Sequence, residues 1–366
     1  MDDALDAIAA TAADVDAAGR FPTEAVQVLR QAGLLGLTVP AEYGGGGEGF
    51  GVASEVITAV AQACASTAMV LTMHYAATAA LVADRRADVL SQIAAGNHLS
   101  TLAFSETGSR SHFWTPLGTA AAVDGGVRLD ADKSWVTSAH AADSYVWSSR
   151  PLAADGPMSM WLVPTTATGL SIAPGFDGLG LRGNDSCAVR AADVRVAGTA
   201  LLGSDGRGLE MALQHVLPWF LLCNAAAGLG TMMAATTRTA AHLATARLAH
   251  LDEPLARQLP SRSRLATMRV RTDTLASFVR HVAGALDRAD ADAAVLALEA
   301  KAAADDAAAS VTDLAMQTCG GTAFRKEIGI ERHFRDARAA RVMAPTSDAL
   351  HDFIGRALCG LPLMDA

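Results

Sequence analysis

The residues best suited to redox or metal chemistry in this sequence are five cysteines, and they stand far apart: Cys64, Cys187, Cys223, Cys319 and Cys359. No two of them form a CxxC pair, and no histidine stands at the spacing of a zinc ligand. This spacing predicts neither a disulfide framework nor a metal site. Scattered free thiols are typical of a protein kept in a reducing cytoplasm.

A second stretch of chemical interest is VMAPTSDAL, at residues 342–350. It contains no carboxylate before Asp348, and Pro345 prevents a helix from running through it. The stretch is either an ordinary turn between helices or a place where a catalytic group is missing. The elements around it must decide between these two interpretations.

The elements that position these residues are predicted to be largely helical. Hydrophobic residues make up 51% of the 366 residues, aromatic residues only 5%, and alanine is abundant. Alanine has the highest helix propensity because it loses no side-chain entropy in a helix. A chain of this length is also long enough to bury two or three packed units.

The pattern of apolar and turn-forming residues changes twice along the sequence and divides the chain into three parts. Residues 1–98 read as helices separated by short turns, and residues 206–366 return to the same helical period. Residues 99–205 instead contain short β-branched or aromatic runs separated by Gly, Pro and Asp. This order predicts an α+β fold with an N-terminal helical domain, a middle antiparallel β domain and a C-terminal helical bundle.

Charge and hydropathy exclude several classes of protein. A formal charge of −9 argues against a nucleic-acid binder, which needs clustered Lys and Arg. The long apolar stretches 65–83 and 216–235 are diluted by Ala, Gly and Thr, which favours helices buried in a bundle over membrane spans. The acidic N-terminus lacks the basic and apolar regions of a signal peptide. We therefore expect a soluble, cytoplasmic protein.

Five segments, in this order and spacing, resemble the acyl-CoA dehydrogenase superfamily. They are GLLGLTVPAEYGG (33–45), AFSETGSRSHF (103–113), DKSWVTSAHAADSYVW (132–147), LRGNDSCAVRAADVRV (181–196) and QTCGGTAFRKEIGIERHFRDARAARV (317–342). The resemblance implies the fold of that family, in which an N-terminal helical domain, a middle β-barrel-like domain and a C-terminal four-helix bundle follow one another. It also implies a flavin-dependent oxidoreductase with FAD as cofactor.

The resemblance assigns cofactor contacts to individual residues. Leu102, Ser105, Ser111, Trp135 and Thr137 occupy the positions that contact the flavin, where an indole and fixed hydroxyls would cover and tune the ring. Taken alone, Trp135 could equally be a core aromatic residue.

Further along, Gln317, Gly320 and Gly321 match the segment that contacts the dinucleotide across a dimer interface. Glycines let a pyrophosphate approach the backbone closely, although Gly-Gly alone more often marks a simple helix break. Thr346 aligns with a threonine that approaches the cofactor. Arg247 lies one position out of register with an arginine that binds the FAD pyrophosphate.

The catalytic base of the family is missing from this sequence. Most members carry Glu and then Gly before the threonine, where this chain has Ala344 and Pro345. A minority place the base on an earlier helix, at the position of Pro218. Neither alanine nor proline can accept a proton. The stretch VMAPTSDAL is therefore interpreted as a turn that lacks an expected carboxylate.

Several explanations are compatible with a missing base. The chain could be a non-catalytic relative, or a flavin monooxygenase on this fold. It could be a conventional dehydrogenase with a displaced base, for which His215, one helical turn before Pro218, has the best spacing. His215 could equally be a hydrogen-bonded helix residue. Finally, oxidation of a carbinol or a hydrated aldehyde needs no α-proton abstraction at all.

The carrier of the acyl group also differs from the usual pattern. Trp219 stands where CoA-binding members often have Arg, and the phosphates of CoA favour basic partners. The sequence most resembles the acyl-ACP dehydrogenases of methoxymalonyl extender-unit biosynthesis for polyketides. That resemblance implies oxidation of a glyceryl unit, held on an acyl carrier protein (ACP), towards hydroxymalonyl-ACP.

An acidic carrier protein needs a basic surface on its partner. The densest positive stretch holds five arginines within residues 257–271: Arg257, Arg262, Arg264, Arg269 and Arg271. It is a candidate docking surface, or else a solvated helix face or part of a subunit interface. The family's cofactor contacts across subunits imply a homodimer or a homotetramer. The electron acceptor is not identifiable from the residues.

Overall fold

The computed structural model describes residues 2–110 and 112–364. The predicted flavin contact Ser111 lies outside the described residues. In the described part, helices precede and follow a strand-rich middle, and the predicted α+β fold class is confirmed.

The N-terminal part consists of α1 (Asp2–Ala18), α2 (Thr23–Gln31), α3 (Phe50–Ala63), α4 (Ala65–Ala83) and α5 (Ala87–Ala94). Helix α4 is apolar around most of its circumference, and its neighbours bury nearly all of its residues. His74 on this helix lies between Leu35 O, 3.0 Å from Nε2, and the Ser100 N–H, which donates to Nδ1 at 3.1 Å. Burial lowers the pKa of His74 to about 4, so its ring is neutral near pH 7.

The middle part consists of β1 (Ser100–Ala103), β2 (Thr119–Val123), β3 (Gly126–Val136), β4 (Ser144–Ser149), β5 (Ser159–Pro164), β6 (Leu170–Ile172), β7 (Cys187–Val196) and β8 (Leu201–Leu202). In the described residues these strands form two four-stranded sheets, in the orders β1-β4-β5-β8 and β2-β3-β7-β6. Neighbouring strands are antiparallel except β1 and β4, which are parallel. The parallel pair arises because the chain leaves β1 to build two strands of the second sheet before it returns as β4.

The two faces of the first sheet belong to different cores. Tyr145, Trp147 and Trp161 point towards the second sheet, whereas Val146 and Met160 point towards the helices. Strand β4 is consequently buried on both faces, which explains its continuous apolar and small-residue sequence. The first sheet is therefore sandwiched between the helices and the second sheet.

The C-terminal part begins with α6 (Gly208–Met211) and continues with α7 (Leu217–Thr245), a hairpin of β9 (Arg247–Leu248) and β10 (Glu253–Pro254), α8 (Leu259–Asp287), α9 (Ala293–Cys319), α10 (Ile330–Asp336) and α11 (Ser347–Leu358). Helices α7, α8 and α9 pack against one another, and α11 packs on α9. Two helical stretches in the described residues, 65–83 and 208–245, are long and apolar enough to cross a membrane. In an apolar 18-residue window of each, 89% and 78% of the residues are buried inside the protein. Such burial is typical of core helices.

A π-helical turn at Ala212–Val216 joins α6 to α7. Pro218 is the second residue after this turn. A proline inside a helix cannot donate a backbone hydrogen bond and clashes with the carbonyl four residues earlier, which here belongs to Gln214 within the turn. A wider turn relieves that clash, and π-turns are frequent at functional sites. The turn therefore has a local cause in the sequence, and it decides which side chains of this helix face inward.

Candidate active site

A cavity lies where the first sheet, helix α4, the π-turn and the C-terminal turn meet. It encloses about 520 Å³, including the part open to solvent. Its lining residues come from five separate parts of the chain: Met73, Leu102, Phe104, Ser105, Phe113, Ser134, Trp135, Ala212, Val216, Leu217, Phe220 and Ala344. The fold thus brings together three predicted flavin contacts, Leu102, Ser105 and Trp135, with Ala344, the position of the missing base.

Trp135 is largely exposed and has an unusual backbone conformation. It lies at an irregularity in the pairing of β3 with β7, with a left-handed φ of 57°, and its side chain is 68% exposed. A left-handed backbone at a bulky residue costs about 1–2 kcal/mol. Its one ring contact in the described residues is the edge of Phe176, at 6.3 Å between centroids. Trp135 is therefore not a core aromatic residue, and its indole face is free to cover a flat ring.

Thr137, two residues further along, is in a different position. It is buried, its hydroxyl lies 3.2 Å from the Ser186 hydroxyl, and it does not line the cavity. Its proposed contact with the flavin stays a prediction.

A buried ion pair connects the two predicted flavin segments, and sequence reasoning missed it. Lys133 Nζ donates to Glu106 Oε1 at 2.7 Å and to Ser148 O at 2.7 Å, and both charged side chains are nearly inaccessible. The Ser134 N–H donates to Ser105 O at 2.9 Å beside this pair. Burial lowers the pKa of Lys133 to about 8, although Glu106 opposes the shift. The alternation of β3 signals this pair, because Val127, Leu129 and Lys133 share its buried face.

The turn at 342–347 is rigidly held, and it presents a methyl group to the cavity. Its Ala344–Pro345 peptide bond is cis, and Ala344 lines the cavity. Lys301 Nζ, fully buried on α9, donates to Ala340 O at 2.9 Å, to Pro345 O at 3.1 Å and to Asp305 Oδ2 at 3.0 Å. Thr346 caps α11, where its hydroxyl accepts from the Ala349 N–H. The Thr346 hydroxyl therefore has a structural role, whatever cofactor contact it makes in addition.

The described residues that line the cavity include no carboxylate and no imidazole. His215, the candidate displaced base, is exposed on the π-turn and is not part of the lining. The turn directs Ala212, Val216 and Phe220, which lie at intervals of four, into the cavity, and His215 lies on another face. The interpretation of His215 as an ordinary helix residue suits this geometry better than a catalytic role.

The residues predicted to contact the dinucleotide lie away from this cavity. The Arg247 guanidinium forms an ion pair with Asp252 at 2.9 Å within the β9–β10 hairpin. The Gln317 amide donates to Asp313 Oδ2 at 2.7 Å. Gly320, with a φ of 59°, and Gly321 are exposed at the end of α9. Their cofactor contacts stay predictions. None of these residues lines the cavity of its own chain, so they could contact only a cofactor part that lies outside that cavity.

One group of side chains bears on the prediction that the chain has no metal site. His140, Asp185 and Cys187 place ligand atoms within 4.8 Å of one another. Their geometry is that of a hydrogen-bonded cap, because Asp185 accepts from the His140 Nδ1–H at 2.8 Å and from its backbone N–H at 2.7 Å. Burial and the neighbouring Asp185 raise the pKa of the Cys187 thiol to about 12. The Cys187 thiol in turn donates to Asp185 Oδ1 at 3.4 Å, so the three groups satisfy one another by hydrogen bonds.

Comparison with known proteins identifies the family. Three profiles of that family match consecutive parts of the chain: the acyl-CoA dehydrogenase N-terminal domain at residues 4–96, the middle domain at 101–194 and the C-terminal domain at 206–359. The chain belongs to the acyl-CoA dehydrogenase family. Its members are FAD-dependent oxidoreductases, so the predicted enzyme class and the predicted cofactor FAD are confirmed.

Individual members of the acyl-CoA dehydrogenase family align over nearly the whole chain. The mitochondrial short-chain specific acyl-CoA dehydrogenase of Bos taurus is 29% identical over 92% of this chain and 82% of its own length. The L-prolyl-[peptidyl-carrier protein] dehydrogenase of Pseudomonas fluorescens is 29% identical over 90% of this chain and 89% of its own length. FkbI is a protein for biosynthesis of the methoxymalonyl extender unit of the polyketide Fk520. Its structure superposes on this one with a TM-score of 0.87 and 23% identity, over 98% of this chain and 99% of the FkbI chain.

The described residues fit the flavin of FAD. The exposed indole of Trp135 offers a flat apolar face, and Ser105 and Ser134 offer polar groups at the strand ends beside it. Leu102, Ser105 and Trp135 would hold the ring, which supplies a two-electron oxidant when it is bound. The rest of the lining is apolar, which excludes water from a reacting centre.

We predict that Trp135→Ala lowers the affinity for FAD by roughly 10- to 100-fold, because stacking of a flat heterocycle on an aromatic side chain contributes about 1–3 kcal/mol. Trp135→Phe, which keeps an aromatic face, should retain most of the affinity. Titration of the apoprotein with FAD, followed by flavin fluorescence, measures both. Equal affinity of the alanine variant and the wild type would show that the exposed indole does not contact the cofactor.

Proposed function

We propose that this acyl-CoA dehydrogenase family member oxidises a small oxygenated acyl group on an acyl carrier protein. The proposed reaction takes a glyceryl-type unit towards hydroxymalonyl-ACP in polyketide biosynthesis. The observation that carries the proposal is the cavity lining, where Ala344 occupies the position of the missing base and no described residue offers a carboxylate or an imidazole. A reaction that needs no strong base suits such a site.

The chemistry of an oxygenated carbon explains why a base is dispensable. An α-proton of a saturated acyl thioester is bound to carbon and leaves only to a positioned general base. When a carbinol carbon is oxidised, the carbon instead loses a hydride equivalent, the hydroxyl loses its proton, and a carbonyl forms. Water can accept a hydroxyl proton, so the residues of this chain need only to bind the acyl group and orient it.

The surroundings of Trp219 support a carrier other than CoA. Trp219 stacks on Phe50, with 4.0 Å between ring centroids, in the position where CoA-binding members often carry Arg. Asp287 caps helix α3 at the same place, since its carboxylate accepts from the N–H groups of Phe50 at 2.7 Å and Gly51 at 2.9 Å. Stacked aromatics beside a carboxylate repel phosphates rather than attract them. The name of the L-prolyl-[peptidyl-carrier protein] dehydrogenase, a relative that is 29% identical, points in the same direction.

The test of this function is the absorbance of the FAD-loaded protein under anaerobic conditions. We expect bleaching of the flavin bands by a glyceryl-ACP-type thioester and none by saturated acyl-CoAs. Bleaching by a saturated acyl-CoA would contradict the proposal and reveal a base outside the cavity lining. Oxygen consumption that depends on a separate flavin reductase, without bleaching by any thioester, would instead indicate a monooxygenase. A protein that does neither would be a non-catalytic relative.

A partner surface for the acidic carrier protein is part of the proposal. Arg262 and Arg264 are exposed near the start of α8, and neither forms an ion pair within the described residues. The neighbouring Arg257 and Arg269 are paired with Glu253 at 3.6 Å and Asp273 at 2.8 Å. Arg262, Arg264 and Arg271 therefore have no carboxylate partner among the described residues. The Arg262 guanidinium donates to the carbonyl oxygens of Ala256 and Arg257, and that of Arg271 donates to the Ser310 hydroxyl.

We predict that the double charge reversal Arg262→Glu and Arg264→Glu weakens apparent binding of acyl-ACP by about tenfold at low salt, because opposite charges steer association. Binding of the same acyl group on pantetheine should not change. Arg195→Glu, an exposed reversal on the second sheet, is the matched control. Unchanged affinity of the double variant for acyl-ACP would remove this docking surface.

We also propose that the protein works as a homodimer or homotetramer in the cytoplasm. A second copy would supply the dinucleotide contacts of Gln317, Gly320 and Gly321, which lie away from the cavity of their own chain. The five cysteines are free, and four of them are buried, which suits a reducing compartment. Light scattering of the FAD-loaded protein would give the number of subunits.

A further inference from the structure

We propose that Phe113 sets the upper size limit of the acyl group, and that the contact of Trp114 with Phe353 on the C-terminal helix holds Phe113 in place. This inference rests on the proposed function, because it names the class of acyl group that the same cavity accepts. Phe113 ends one of the segments that resemble the family (103–113), but the resemblance assigns it no contact. It is singled out by its position in the cavity wall.

The wall around Phe113 is aromatic and closely packed. Phe113 is 6% exposed and lines the cavity together with Phe104, whose ring is stacked at 6.4 Å between centroids. Phe220 from α7 and Met73 from α4 also line the cavity. An aromatic ring is rigid beyond its first two torsions and cannot shorten to admit extra atoms. The wall therefore limits the length of an acyl group and gives it no charged partner.

A series of edge-on aromatic contacts connects Phe113 in this wall to helix α11. The rings of Phe113 and Trp114 meet edge-on at 5.2 Å, and Trp114 meets Phe353 at 5.4 Å. Phe353 is 4% exposed on α11, the helix that begins directly after the turn that carries Ala344. The same helix thus fixes both the aromatic wall and the position of the missing base.

The ends of the loop that carries Phe113 are also fixed. Glu106, at its start, accepts hydrogen bonds from the backbone N–H groups of Leu117 and Gly118, at its end. Gly118 is packed so closely that a Cβ there would lie 2.6 Å from Ala131 Cβ. Glu106 is in turn held by its buried ion pair with Lys133. Phe113 itself is held in the wall by its ring contacts with Phe104 and Trp114.

The consequence is a preference for short, neutral acyl groups. A glyceryl-type unit is short and uncharged, so it fits, whereas a medium-length chain would meet the Phe113 ring. Replacing the ring with a methyl group opens the wall at one point. Longer chains should then bind, while short ones, which do not reach the ring, should bind as before.

The experiment measures binding of propionyl-, butyryl-, hexanoyl- and octanoyl-pantetheine to the FAD-loaded protein by calorimetry. Because the proposed function leaves saturated thioesters unoxidised, they act as simple ligands here. We expect wild type to bind octanoyl-pantetheine at least about tenfold more weakly than butyryl-pantetheine, and Phe113→Ala to remove that difference. Phe113→Leu, a milder change, should lie between them, and Trp114→Leu should shift the preference in the same direction by releasing the brace.

Phe278→Ala, a similar truncation on α8 outside the cavity, is the matched control and should keep the wild-type preference. FAD content and the unfolding temperature verify that each variant is folded. The same length preference in wild type, Phe113→Ala and Phe113→Leu would overturn the inference. Failure of the proposed function would be seen in a different experiment, in which a glyceryl-type thioester leaves the flavin bands of the wild type unchanged.

Discussion

Replacing Ala344 with glutamate is expected to create an oxidation of saturated acyl thioesters that the wild-type protein lacks. The Ala344 methyl group lines the cavity among apolar residues. A carboxylate in its place would be a general base, and such a base contributes about 10²- to 10⁴-fold to a proton-transfer step. The apolar lining should also raise the pKa of the new carboxyl group, which brings it closer to neutral pH.

The measurement is the anaerobic rate of flavin bleaching by butyryl-pantetheine, compared with wild type. Ala344→Gln is the control, because it has the same size and cannot accept a proton. A gain in the glutamate variant alone would establish that the missing base is the reason saturated substrates are refused. If glutamate and glutamine behave alike, or if wild type already bleaches, the interpretation of the turn at 342–347 is wrong.

Lys301→Met is expected to destabilise the fold by about 3–5 kcal/mol, because it leaves the buried Asp305 without its partner charge. The Lys301 and Asp305 side chains are both fully buried at 3.0 Å. Lys301 also donates to three carbonyl groups, those of Ala340, Met343 and Pro345, which would lose their donor. We expect the turn to loosen, so that oxidation of the proposed substrate falls further than the affinity for FAD.

The chain contains a matched control for this change. Arg269 and Asp273 are also spaced i,i+4 at 2.8 Å, but their side chains are 70% and 53% exposed. Arg269→Met should cost less than about 1 kcal/mol. The double variant Lys301→Met with Asp305→Leu should recover part of the lost stability, because an apolar pair often replaces a buried ion pair at little cost. Equal unfolding temperatures for Lys301→Met and Arg269→Met would contradict the argument.

Much of the architecture follows from local patterns in the sequence. Alanine-rich helical periods and short β-branched runs predict the order of helices, strands and helices, because propensity and amphipathic period act over a few residues. The motif segments predict the family, the cofactor and the missing base. The positions of some buried charges could also have been inferred from sequence patterns, although our sequence analysis missed them. Lys133 stands on the apolar face of an alternating strand, and Lys301 and Asp305 are one turn apart in an apolar helix.

Other features depend on contacts between residues that are far apart in the chain. The sequence by itself determined the fold class, the FAD-dependent oxidoreductase family and the absence of the usual base at Ala344 and Pro218. Only the tertiary structure decided that His215 faces outward, that Trp135 stands exposed on a strained backbone, and that Phe113 forms a cavity wall braced by Phe353. The physical reason is that a pattern fixes which face of an element is apolar, whereas the shape of a cavity depends on how several elements pack together.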